Sequence, residues 1–348
     1  MLMVVFGAGA SYDSCLTHPA PGNPNENEEH RDCRLPLGDQ LFEERALFHP
    51  ILQRFPRSLD VASRLRFLLP DTTVEHVMEQ LRDEAAKYPR RWEQLAALRY
   101  YLQIAIGDGC SEWDRRAAHG VTNYRTLLDM IELRRQQEGG TVCLVTFNYD
   151  TMLDEALATV GIEIRSLDSY IESPHYKVIK VHGSISWARE MEPWTDNIDL
   201  ITEDQLVREL IGRAATLKPT SRFHVAIQRP TTRLGGQRPA IPAIAIPVRT
   251  KGEFECPAEH IAALKACLND VTKLLVIGWA ANDTHFLDLL RDGREGIKAW
   301  VVAGSEPNAN KVIENLKPAL RKHGKLHAGP SGFSHFIHSD ARVFLDSF

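Results

Sequence analysis

Leu2-Met3-Val4-Val5-Phe6-Gly7-Ala8-Gly9-Ala10-Ser11 is a short apolar run that ends in a glycine-spaced turn. A continuous apolar run of this length reads as a strand buried on both faces, the pattern of a parallel sheet. Two later runs end in the same way. Val142 to Val145 lead into Thr146-Phe147-Asn148-Tyr149-Asp150, and Val178 to Val181 lead into His182-Gly183-Ser184. Ligands of an open α/β sheet bind in the crevice at the carboxyl ends of its strands. The predicted fold class is therefore α/β, a Rossmann-like parallel sheet, with all three motifs facing one pocket.

The residue types in these motifs suit particular chemistry. Glycines at 7 and 9 let the backbone turn tightly and approach a pyrophosphate, while the start of the following helix offers N–H groups and a positive dipole end. The same spacing also serves an ordinary turn, since it is not the full dinucleotide fingerprint. Asn148 and Asp150 precede the helical pattern Met152, Leu153, Ala156, Leu157, so one of them reads as an N-cap. A cap explains only one of the two. Asn148 brings a donor and an acceptor on a neutral group, fit to hold a water or sugar hydroxyls beside an electron-poor centre. His182 is either a satisfied core histidine or, with an ordinary pKa of about 6.5, an acceptor for a ribose proton.

Taken in chain order, Gly7-Ala8-Gly9, Phe147-Asn148-Tyr149-Asp150 and His182-Gly183 resemble the glycine cradle, the Gln-Asn-Ile-Asp motif and the catalytic His-Gly of the sirtuin family. The resemblance extends to Val276-Ile277-Gly278-Trp279 and to Val301 through Asn308, similar to the strand and loop that hold the adenosine half of NAD in that family. It does not cover residues 41 to 138. Deacylating sirtuins usually carry a zinc ribbon of two Cys-x-x-Cys pairs, whereas Cys15, Cys33, Cys110, Cys143, Cys256 and Cys267 form no such pair. The closer resemblance is to a sirtuin-like branch of bacterial antiphage defence, in which Phe-Asn-Tyr-Asp, His-Gly-Ser and Gly-x-x-x-x-Asp-x-x-Phe recur. The last stretch is Gly278 through Phe286 here.

Proteins of that branch hydrolyse NAD, and the resemblance implies the same substrate for this chain. By similarity Asn148 positions the attacking water and the ribose, His182 bonds the ribose hydroxyls and relays a proton, and Asp150 holds the carboxamide. Gly7, Ala8, Gly9 and Ser11 would take the pyrophosphate, with Gly278, Asp283, Glu306 and Asn308 completing the NAD site. No metal is expected. An NAD-dependent protein deacylase ranks lower because it needs the missing zinc ribbon to build half of its peptide groove. A nucleotide sensor without turnover needs the cradle but not Asn148 and His182 together. The resemblance further implies a regulated enzyme that works as a homo-oligomer or with a companion defence protein, for example a DNA-translocating ATPase or a nucleotide-processing enzyme.

The rest of the sequence bounds these expectations. The chain has 348 residues, 43% of them hydrophobic, with a formal net charge of −5. That balance gives no global pull toward nucleic acid or membrane. Scattered cysteines and the lack of a leader or membrane-length apolar run predict a cytoplasmic protein. Residues 12 to 38 are rich in Pro, Asn, Gly and Glu and read as a mobile loop. Residues 41 to 138 show helical stripes, including Tyr124, Leu127, Leu128 and Ile131, and are predicted as a helical insertion. The expected domains are thus 1–40 with 139–348, and 41–138. Residues 189 to 256 carry six prolines and read as irregular. Within them Arg208, Arg213, Lys218, Arg222, Arg229, Arg233, Arg238, Arg249 and Lys251 face only Glu209 in sequence. This run is either a solvated face or a docking surface for an anionic partner.

Overall fold

The computed structural model describes residues 1–20, 28–67, 74–193, 201–235, 238–246 and 254–346. Its strands are β1 (Leu2–Phe6), β2 (Val142–Thr146), β3 (Tyr176–Lys180), β4 (Gly183–Met191), β5 (Pro219–Val225), β6 (Arg233–Leu234), β7 (Arg238–Ile244), β8 (Lys273–Ile277), β9 (Lys298–Ala303) and β10 (Leu326–Ser331). The chain divides into two compact units. One holds residues 1–37, 110–181 and 258–348, and the other holds 38–109 and 182–257.

The first unit is the predicted parallel sheet. Six strands run in the order β10-β9-β8-β1-β2-β3, and every neighbouring pair is parallel. Met3 to Phe6 and Cys143 to Val145 are wholly buried, which is why these strands read as unbroken apolar runs. From β1 the chain builds outward through β2 and β3, then returns to build the other half from β8. The topological switch point therefore lies between β1 and β8, where ligands of such sheets bind. Phe6 pairs with both Thr146 and Ile277, and Thr146 pairs with Lys180, so four strands end level. Helix Asn123–Glu138 belongs to this unit. Thr122 caps it by accepting from the Arg125 N–H, and Tyr124, Leu127, Leu128 and Ile131 form its buried stripe.

The second unit joins the helices Phe48–Arg54, Pro56–Arg66 and Val74–Ala85 and most of Arg90–Trp113 to an antiparallel sheet in the order β5-β4-β7-β6. These units divide the chain differently from the expected domains: residues 110–138 group with the parallel sheet, and 182–257 group with the helices. Among the described residues, the stretch expected to be irregular carries β5, β6, β7 and the helix Glu203–Gly212. Its prolines disguised it, because Pro219, Pro239 and Pro242 all sit within strands, where proline is uncommon.

Cross-strand pairing also changes the reading of the basic run. Glu190 of β4 is buried and faces Arg222 at 3.6 Å, His224 at 3.2 Å and Arg238 at 3.2 Å. Arg213 pairs with Glu209 and Lys218 with Glu192, while Arg233 donates to the Ile201 carbonyl. Arg249 and Lys251 lie outside the described residues.

The loop expected to be mobile is partly anchored. Buried Asp13 accepts from the Ala20 N–H at 2.9 Å. Buried Arg34 donates to the Tyr12 and His18 carbonyls at 2.6 and 3.1 Å and stacks 4.5 Å over Trp113. Helix Glu28–Cys33 precedes it, and residues 21–27 lie outside the description. No helix among the described residues is long and apolar enough to cross a membrane.

Candidate functional site

The site grows from the two turns at the switch point. The Gly7 N–H donates to the Ile277 carbonyl and the Gly9 N–H to the Gly278 carbonyl, each at 3.0 Å. The turns press backbone against backbone, so that a Cβ on Gly7 would lie 2.5 Å from the Trp279 Cα and one on Gly9 2.8 Å from the Gly278 Cα. Gly278 itself has φ +63°, and a Cβ there would lie 2.2 Å from the Ala10 nitrogen. The glycines at 7, 9 and 278 are thus required by the protein's own packing. Helix Ala8–Tyr12 spans only five residues, so it brings a much weaker dipole than a long helix.

Beneath these turns lies a buried polar cluster. Asn148, on the turn after β2, points its Nδ2 at the Gly7 carbonyl (2.9 Å), Ser11 Oγ (2.9 Å) and the Tyr124 hydroxyl (3.1 Å). Tyr124 OH lies 2.8 Å from Ser11 Oγ, and Ser11 donates to Asp150 Oδ2 at 2.6 Å. Asp150 Oδ1 accepts from the Met152 N–H at 3.1 Å, which ties the start of helix Met152–Ala156 to the cluster. All four side chains are buried. Burial raises the Asp150 carboxyl above its usual range, opposed by the Lys180 ammonium and the Ser11 and Met152 hydrogen bonds. Burial also drives the Tyr124 phenol well up, helped by the charge of Asp150. Lys180, wholly buried in β3, donates to the Asp150 carbonyl at 2.6 Å and pairs with Asp154 at 2.5 Å.

An aromatic wedge stands beside the cluster. Phe147 stacks on Trp279 with centroids 4.7 Å apart, and Phe286 meets both edge-on at 5.3 and 5.4 Å. Asp283 caps helix Thr284–Asp292 by accepting from the Phe286 N–H at 2.9 Å. The Gly-x-x-x-x-Asp-x-x-Phe stretch is therefore a folding device. Gly278 lets two turns touch, and Asp283 starts the helix that delivers Phe286 onto Phe147. After β9, Ser305 caps helix Glu306–Leu316, with Glu306 and Asn308 exposed in its first turn.

The SIR2-like domain family matches residues 142–318, just over half of the chain and the stretch that runs from β2 through the helix after β9. The chain belongs to the SIR2-like family. No curated protein matches it. SIR2-like domains bind NAD, and the chain's membership gives it an NAD-related function.

Within this SIR2-like protein the structure brings Gly7, Ser11, Asn148 and Asp150 together and sets Gly278 against Gly9. Ser11 directs its hydroxyl to Asp150, and both Asp150 oxygens are engaged. His182 is half-buried and opens the second unit, its carbonyl accepting from the Ala245 N–H at 2.9 Å. The glycine after it is dictated by the sheet: Gly183 has φ +80°, and a Cβ there would lie 1.9 Å from the Ala243 carbonyl oxygen. Sequence reasoning missed Tyr124 and Lys180. Tyr124 sat in a helical stripe of otherwise aliphatic residues, where a buried tyrosine needs a hydroxyl partner. Lys180 sat within an apolar strand, where a buried cation needs a carboxylate. Among the described residues no group of three or more His, Cys, Asp or Glu is arranged to hold a metal ion.

Proposed function

We propose that the chain hydrolyses NAD, breaking the bond between ribose C1′ and nicotinamide to give ADP-ribose. The leaving nitrogen takes the bonding electron pair and departs as neutral nicotinamide, while C1′ develops oxocarbenium character of the kind met in glycoside hydrolysis. Water adds at C1′ and gives up one proton. A neutral carboxamide suits this centre, since its oxygen can accept from the attacking water without adding a charge that must be desolvated.

One observation carries the reading. The Gly7 carbonyl can only accept, so it fixes the amino edge of Asn148 inward, and no donor to Asn148 Oδ1 is found among the described residues. The oxygen is the edge left to meet substrate. In this reading His182 bonds the ribose hydroxyls and relays the proton. The turn after β1 takes the pyrophosphate through the backbone of Ala8, since the Gly7 and Gly9 N–H groups already bond the Ile277 and Gly278 carbonyls, and Glu306 and Asn308 meet the adenosine half. Asp150, buried and bonded to Ser11 and the Met152 N–H, acts in this reading through Ser11. Resemblance to the antiphage branch supports a wider proposal, that the enzyme is a regulated effector that depletes NAD as an oligomer or with a companion protein.

The test is to incubate the purified protein with NAD in H₂¹⁸O and follow nicotinamide release together with the mass of the product. Hydrolysis yields ADP-ribose carrying the label at C1′. Unchanged NAD would remove the proposal.

A further inference from the structure

The buried cluster contains a hydroxyl that neither the sequence motifs nor the proposed chemistry uses. Tyr124 is 1% exposed, and its ring is held between Phe6 and Phe333 at centroid distances of 4.9 and 5.6 Å. We propose that Tyr124 is a positioning residue that, together with the Gly7 carbonyl, holds the Asn148 carboxamide with its oxygen edge toward substrate. The proposal rests on the reading of Asn148 given above.

Each hydroxyl of the cluster has one hydrogen to give. Ser11 has one, and it goes to Asp150 Oδ2 at 2.6 Å. The contact of 2.8 Å between Ser11 Oγ and Tyr124 OH is then filled by the tyrosine hydrogen. With its own hydrogen spent, the Tyr124 oxygen offers a lone pair to Asn148 Nδ2 at 3.1 Å, so that the two amino hydrogens are shared among three acceptors, the Gly7 carbonyl, Ser11 and Tyr124. The chain Asn148 to Tyr124 to Ser11 to Asp150 therefore runs in one direction and ends on a carboxylate. Each bond polarises the next in such a buried row. Turning the carboxamide over would set its oxygen against the Gly7 carbonyl and leave amino hydrogens facing the ribose. Ser11 alone still gives Asn148 a second acceptor at 2.9 Å, so loss of the tyrosine hydroxyl loosens the amide without freeing it.

Two readouts on the full chain test this, using Tyr124→Phe, which keeps the ring, and Tyr100→Phe as control. Tyr100 is buried, and no hydrogen-bond partner of its hydroxyl is found among the described residues. In Tyr124→Phe, kcat for nicotinamide release should fall about tenfold with KM within about twofold, the signature of an interaction used in the transition state. In protein labelled with ¹⁵N-asparagine, the Asn148 side-chain signal, identified by its loss in Asn148→Ala, should shift and exchange faster with solvent. Tyr100→Phe should change neither. A raised KM with unaltered kcat, or an Asn148 signal in Tyr124→Phe identical to that of wild type, overturns the proposal. If the wild-type protein releases no nicotinamide, the hydrolase reading falls, and the Asn148 signal alone then decides the role of Tyr124.

Discussion

Ser11, Tyr124, Asn148 and Asp150 in the first unit are buried and bonded to one another, with a single carboxylate among them. In the second unit Arg222, His224 and Arg238 gather around one buried carboxylate, Glu190. Both regions concentrate polar atoms, yet they differ in what solvent leaves to them. In the first, burial shields the bonds from bulk solvent, and they run in one direction toward the carboxylate. In the second, three side chains share one carboxylate, and the most exposed of them, Arg222, is screened by solvent. Directed chemistry belongs to the first kind of region, and neutralisation to the second.

The largest effect that would break this contrast is at the switch point. Gly278→Val adds a side chain at positive φ against the Ala10 nitrogen, and should cost at least about 4 kcal/mol, enough to unfold a marginally stable protein. Gly304→Ala, where a Cβ meets nothing within 4 Å, should change stability by less than about 0.5 kcal/mol. Thermal melts of the two variants check both, and a well-folded Gly278→Val would show that the turns do not need to touch.

A smaller effect sharpens the comparison between buried and exposed charge. Lys180→Met leaves Asp154 without its partner in the core and should cost about 3–5 kcal/mol by denaturant titration. Arg222→Ala removes an ion pair whose arginine is 71% exposed and should cost less than about 1 kcal/mol. Similar losses in the two variants would erase the distinction drawn here.

The smallest effect concerns acid. Glu132, on helix Asn123–Glu138, accepts from Arg135 and from Tyr176 of β3, and chiefly the Arg135 bond holds its carboxyl down to about 2 from the ordinary 4.5. A carboxylate lowered on folding contributes stability that is present above about pH 4.5 and is lost as the pH falls toward 2. Wild type should therefore lose more stability than Glu132→Gln between pH 6 and pH 3. Equal losses would mean that this carboxylate plays no part in acid unfolding.

How far the sequence disclosed all this follows from the range of the interactions. The strands of the parallel sheet were legible because burial on both faces leaves unbroken apolar runs at Leu2–Phe6 and Val142–Thr146. The motifs were legible because turns at strand ends need particular residues, Gly278 above all. Domain boundaries were not, since helix Asn123–Glu138 carries the same amphipathic stripe as the helices of the other unit, and only tertiary packing assigns it to the sheet. The charge balance of the basic run was hidden for a related reason: a window along the chain counts Arg222 and Arg238 but cannot see Glu190 across the strands. Within the site, Asn148 and Ser11 stood out by motif. The hydrogen bond from Tyr124 joins them from a separate helix, and no spacing in the sequence records it.

The central claim is that the oxygen edge of Asn148, set by a buried directional cluster, serves cleavage at the ribose carbon of NAD. The most direct measurement compares the rate of nicotinamide release by wild type and Asn148→Ala, with folding of both confirmed by their melts. The account predicts release by wild type and a loss of at least about 100-fold in the variant, the scale of removing a transition-state contact. A folded Asn148→Ala variant that releases nicotinamide at the wild-type rate would contradict it.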